Sequence, residues 1–345
     1  MPGDAPTSGG DGRAAEELYF VMMAATMMLS SAFFPPLLLL VPGPLAALVY
    51  RRGYQAGIIA GVALALLVFW LQSASLSGGS SGIIPTDVLW TLNVSMLAWR
   101  LIIGLAGLSI GGAWREGASP TTAVLAGAAA LALPPLLAFI VALVGWDVHL
   151  VDLAFSNLGR VQEQMMRQGE FSTLPPETAE QIKEWFQAAE LSAAYMRVFW
   201  PGFLGTMAFV GSLASAAVGR WMLRRRTPTP EPLPPFQLWR FPWYLAFGFL
   251  IGQGAVLLNS LGVDLGAFEG VAGNIHLLFS NLFLIQGLSV IYFFLTRRPI
   301  PGVIRGIILV AAAFWLSFLV VWLGALDVWL NVRRLPVTAR EGDDH

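Results

Sequence analysis

The chain has 345 residues, of which 56% are hydrophobic and only 12% charged, with a net charge of −1. A soluble domain carries roughly 25% charged residues, so this composition excludes an ordinary soluble protein and requires lipid to cover much of the surface. The near-zero net charge argues against a nucleic-acid partner, and the absence of Cys excludes disulfides, thiolate metal sites and Cys nucleophiles.

Met1–Gly12 are rich in Gly, Ser, Pro and Asp, and residues 1–17 are expected to form a disordered tail. No basic n-region precedes the first apolar run and no small-residue cleavage site follows it, so no cleaved signal peptide is expected. Nine apolar runs follow: Leu18–Phe34, Pro36–Tyr50, Tyr54–Leu71, Val88–Ala113, Thr121–Trp146, Val198–Leu223, Phe241–Leu261, Val271–Leu295 and Val303–Leu330. They are continuous and show no two-residue alternation, so the fold class is all-α, a polytopic bundle of about eight to nine spanning helices and not a barrel. Leu18–Val49 is too long for one span and short for two, and Pro35-Pro36 and Pro42-Gly43-Pro44 interrupt it. It predicts two short or broken helices, the second open to a re-entrant path.

Arg51-Arg52, Arg115, Arg220 with Arg224–Arg226, and Arg297-Arg298 fall at alternate ends of the runs, which sets those ends in the cytoplasm. Arg333-Arg334 conflict with this if the ninth run crosses. Basic residues are nearly all Arg, with Lys183 the lone Lys. That usage suits a GC-rich bacterial genome, and the expected location is a bacterial inner membrane. The chain divides into a first bundle part (18–226), a proline-rich cytoplasmic linker (227–240), a second bundle part (241–332) and a polar C-terminal tail (333–345). Within the first part, 147–197 carries eight acids and four bases. Glu177–Met196 shows helical spacing of Ile182, Trp185, Phe186 and Ala189, so an external amphipathic helical segment is expected.

Arg100 stands out because a charged residue near the centre of a spanning helix is costly and must face protein or water. Thr86, Trp90, Asn93, Leu97, Arg100, Gly104, Gly107 and Gly111 recur at steps of three and four and share one face. Arg100 therefore points into the bundle, where it either holds helices through a carboxylate or carbonyls or binds an anionic ligand. The eighth run concentrates Asn274, His276, Ser280, Asn281 and Gln286, with Gln253 and Asn259 on the seventh. These either glue helices by hydrogen bonds or line a polar pocket. Asp327 and Arg334 are seven apart, which predicts an exposed or interfacial ion pair on one helix face. The small-residue pairs Gly57/Gly61, Gly211/Ser215/Gly219 and Gly248/Gly252 are helix-contact motifs that serve inside a bundle or toward another membrane protein. Three scattered His (His149, His276, His345) predict no metal site, and no cofactor is implied. GxxxxGK[ST], HExxH and GxSxG are absent, so no enzymatic activity is expected. An enzyme acting on a lipid-linked substrate would need His276 to meet Asp264 or Glu269.

Three stretches, FPWYLAFGFLIGQGAVLLNSLG (Phe241–Gly262), NIHLLFSNLFLIQGLSVIYFFLTRR (Asn274–Arg298) and LGALDVWLNVRR (Leu323–Arg334), resemble the YybS-like bacterial membrane proteins, a family of unknown function. That family is distantly similar to the S components of energy-coupling-factor transporters. The resemblance implies a substrate-binding unit that docks on a transmembrane coupling subunit, though S components are shorter and have about six helices. Two functional readings remain open: a small-molecule-binding transporter or transporter subunit, and a non-catalytic scaffold or assembly partner. The partners implied are the lipid bilayer, a membrane protein or coupling subunit, and a small-molecule ligand.

Overall fold

The computed structural model describes residues 9–31, 35–79, 86–146, 151–152, 159, 176–224, 229–266 and 268–335. All regular structure among them is helical, the form in which an apolar chain satisfies its backbone in lipid. The elements are α1 (Gly9–Ser30), a 3₁₀ turn (Pro35–Leu40), α2 (Pro42–Arg52), α3 (Tyr54–Gly79), α4 (Thr86–Arg115), α5 (Pro120–Trp146), α6 (Pro176–Leu223), a second 3₁₀ turn (Phe236–Leu238), α7 (Leu245–Ser260), α8 (Phe268–Thr296), α9 (Gly302–Trp315) and α10 (Ser317–Leu330). α1 begins at Gly9, inside the segment expected to be disordered.

Among the described residues five helices, α3, α4, α5, α6 and α8, are long and apolar enough to cross a membrane, or six spans if the bent pair α9–α10 counts as one. The expected eight to nine spans are not confirmed: hydropathy counts apolar residues, while prolines and bends shorten what they build. α2 has 11 residues, about 16 Å, against a hydrocarbon core of about 30 Å. The ninth run, read as one helix, breaks at Leu316 with a bend of 102°.

The described residues form two compact units, one reaching to Arg197 and including Met207–Leu233, the other made of Val198–Thr206 and the chain from Pro234 onward. In the first unit an ion pair joins Glu17, at the start of the apolar part of α1, to Arg52 at the end of α2. The first apolar region therefore goes in and comes back to one end. Tyr54 Oη donates to Glu116 Oε1 at 3.0 Å, so the start of α3 and the end of α4 share that same arginine-bearing end. α2 is buried from Pro42 to Val49. Glycines admit it: a Cβ on Gly107 would lie 2.7 Å from Leu45 Cβ, one on Gly111 2.5 Å from Ala46 O, and one on Gly219 2.6 Å from Gly43 O. The small-residue face of α4 and the Gly211/Ser215/Gly219 stripe of α6 are thus filled by this chain's own α2 and the turn before it, where Ser215 Oγ donates to Leu39 O.

The external helix expected over Glu177–Met196 and the span expected from Val198 are one helix, α6, of 48 residues. At 1.5 Å per residue it is about 72 Å long, more than twice the core thickness, so much of its N-terminal half extends past the lipid. Arg197 pairs there with Asp152 at 2.6 Å. Residues 147–150, 153–158 and 160–175 of the expected external segment, residues 1–8 of the N-terminal tail and residues 336–345 of the C-terminal tail lie outside the described residues.

The second unit is built around α8. α7 packs on it through Gly248, against Phe279, and Gly252, against the His276 backbone. α10 crosses it where Gly287 meets Val320 and Gly324 meets Phe283. After Leu330 the chain turns through Asn331 in the left-handed region (φ 45°), and Arg333 binds the carbonyls of Gln237 and Trp239 and the hydroxyl of Ser289. Ser289 lies about 12 Å along α8 from Arg297 but about 32 Å from Phe268. The pair α9–α10 therefore brings Arg333 back toward the arginine-bearing end of α8. The conflict with the charge rule came from treating the ninth run as one straight span.

Candidate functional site

Asn93 and Arg100 belong to the first unit, the remaining candidates to the second. Arg100 is 3% exposed and Asn93 5%, and both point into the bundle. Arg100 Nη2 donates to Gln72 Oε1 at 2.6 Å, and Asn93 Nδ2 donates to Ser73 Oγ at 2.6 Å. Gln72 is 18 residues past Tyr54 on α3, about 27 Å from the arginine-bearing end, and two residues from the end of the α3 span at Ala74. A helical side chain leans toward its helix's N-terminus, and α4 runs toward the arginine-bearing end, so the long Arg100 stem carries its charge away from that end, to Gln72. Gln72 and Ser73 were absent from the sequence-derived set. The signal for them is their position where a span ends on the helix that packs beside Arg100. Among the described residues Arg100 has no carboxylate partner, and its Nη1 is buried without a hydrogen bond.

In the second unit, Asn274 works on the backbone of α6. Its Oδ1 accepts from Gly202 N at 2.7 Å, and its Nδ2 donates to Val198 O at 2.6 Å and Gly270 O at 2.7 Å. Asn281, one heptad on, donates to Thr206 Oγ1 at 3.4 Å and Leu277 O at 2.8 Å. Both residues therefore fasten α8 to the Val198–Thr206 stretch. Gln286, fully buried, accepts from Phe241 N at 2.9 Å and donates to Asp327 Oδ2 at 3.3 Å.

Asp327 pairs with Arg333 at 2.7 Å, and the two side chains are 1% and 0% exposed. The expected partner Arg334 and the expected exposure are both corrected. Helical spacing stops applying at Asn331, where positive φ ends α10 and turns Arg333 inward. The same guanidinium holds Gln237 O, Trp239 O and Ser289 Oγ, and Ser289 Oγ donates to Phe236 O at 2.6 Å. Arg240 Nη2 adds a bond to Val328 O at 3.0 Å. Pro234–Arg240, the end of the proline-rich linker read over 227–240, is thus tied to α8 and α10.

His276 is half-buried, stacks on Phe249 with centroids 6.3 Å apart, and lies 3.4 Å from Ser280 Oγ. Asn259 is exposed and donates to Glu269 Oε1 at 2.9 Å, while Asp264 caps Gly266 N at 2.8 Å. Gln253 is half-buried. No group of three or more metal-ligating side chains is present among the described residues.

A family described as predicted membrane proteins, DUF2232, matches residues 21–328. The chain belongs to that family. No curated protein and no solved structure matches it. The DUF2232 match runs from within α1 to Val328 of α10, so it takes in both polar clusters, the Arg100 group in one unit and the Asp327 group in the other, and leaves out Arg333.

Proposed function

We propose that this membrane protein is a non-catalytic binding unit of the transport class that takes a small anionic molecule at Arg100, on the side opposite the arginine-bearing ends. The observation that supports the reading is the guanidinium itself. It is buried, bonded to a neutral amide through one nitrogen, and without a hydrogen bond on the other. A buried cation without a counter-ion is costly, and an anionic ligand removes that cost by making a charge-assisted bond to the free nitrogen. Asn274, Asn281 and Gln286 of the second unit are occupied in fastening helices and chain segments to one another, whereas the Arg100 Nη1 has binding capacity to spare.

The test is a thermal-unfolding screen of the full chain in nanodiscs against small carboxylates and phosphates, with native mass spectrometry of the purified protein. A ligand at 100 times its Kd stabilises by about 2.7 kcal/mol, so wild type is expected to shift with one anion class. Arg100→Gln is expected to keep its own melting transition and lose that shift. Equal shifts in wild type and Arg100→Gln, or none in wild type across both classes, would overturn the proposal.

A further inference from the structure

α6 contains Pro201 in its interior. Proline removes the bond to the carbonyl four residues earlier, here Arg197 O. The next bond of an unbroken helix would join Gly202 N to Val198 O. Those two groups are the ones the Asn274 carboxamide bridges, taking the Gly202 N–H on its Oδ1 and giving its own N–H to Val198 O. A side chain inserted into the ladder beside a proline is a recognised cause of a helix break. The approach is close enough to need glycine: a Cβ on Gly202 would lie 2.8 Å from Asn274 O, and one on Gly273 2.7 Å from Phe199 Cε1. The Asn274 contact also coincides with a boundary in packing, since Val198–Thr206 associates with the second unit while the parts of α6 before and after it associate with the first.

We propose that Pro201 and Asn274 make α6 a two-state element, clamped when the carboxamide bridges Val198 and Gly202 and released when those two backbone groups bond to each other. In the released state Asn274 keeps its bond to Gly270 O, Val198 O and Gly202 N stay paired, and the Asn274 Oδ1 gives up its donor, so the states differ by a single hydrogen bond. The two backbone groups are paired in both states, which brings the states close enough in energy for a bistable element. The switch changes the angle between the Pro176–Arg197 arm and the Met207–Leu223 half of α6.

The chain has no Cys, so the full-length protein carrying only Gln187→Cys and Ala217→Cys can be spin-labelled at two exposed α6 positions, about 45 Å apart along a straight helix. In Asn274→Ala the distance distribution is expected to shift or broaden. Amide exchange over 198–206 is expected to quicken by about 10-fold, the effect of losing the bridging bonds. A merely structural Asn274 would lower the melting temperature and leave the label distance unchanged, and that outcome sinks the proposal. If Asn274→Ala does not give folded protein, Pro201→Ala decides. Restoring the 201 N–H is expected to narrow and lengthen the distribution, and an unchanged one overturns the two-state reading.

Discussion

The Asp327–Arg333 pair holds two charges almost wholly out of solvent, with Gln286, Ser289 and two backbone carbonyls bonded to them. Removing one partner strands the other charge in a low-dielectric interior, which costs about 3–5 kcal/mol, whereas replacing both by apolar residues of similar size is far cheaper. Asp327→Leu and Arg333→Met are therefore each expected to lower the unfolding midpoint in detergent strongly, and the double variant to recover most of the loss. Additive losses in the double variant would mean the two residues act separately. This pair was half legible: Asp327 stood out near the end of an apolar run, but its partner depended on the left-handed turn at Asn331, which places Arg333 and not Arg334 inward.

At the scale of elements, glycine decides which helices can touch. A Cβ on Gly287 would run into the carbonyl of Val320, and one on Gly324 into that of Phe283, whereas one on Gly254 meets nothing within 4 Å. Gly287→Ala is expected to destabilise by about 1–3 kcal/mol or more, the usual cost of overpacking a fitted contact. Gly254→Ala, in a helix with free space, is expected to be neutral or to stabilise slightly. Thermal melts of the two single variants in the same detergent check the contrast, and equal shifts would remove the crossing of α8 and α10 as its cause. The sequence marked Gly57, Gly61, Gly211, Ser215, Gly219, Gly248 and Gly252 as contact residues without naming their partners, and each of them meets α8, α2 or the turn before α2. Gly57 meets Val49 of α2 and Leu108 of α4, and Gly61 approaches Gly104.

For the whole molecule the open question in the charge pattern was the side of the C-terminus. Within the second unit, Arg333 is tied to Gln237, Trp239 and Ser289, so the last helices turn back. In sealed vesicles of one orientation, Arg298→Cys and Arg334→Cys, both exposed, are expected to react with an impermeant maleimide from the same side, and Asp264→Cys from the other. Labelling of Arg334→Cys together with Asp264→Cys would show instead that α9–α10 crosses. The sequence by itself determined that this is an all-helical membrane protein, that its first region is broken by prolines, and which ends carry the arginines. Each follows from local chemistry: apolar run length, a missing N–H, and charge that cannot stay in lipid. Only the tertiary structure decided that α2 is swallowed by glycine faces, that α6 is one helix bridged by Asn274, that the final run folds back, and that Arg100 meets Gln72 of α3. Those outcomes depend on contacts between residues far apart in the chain, and on where a long side chain ends and not where its Cα lies, neither of which a periodicity can carry.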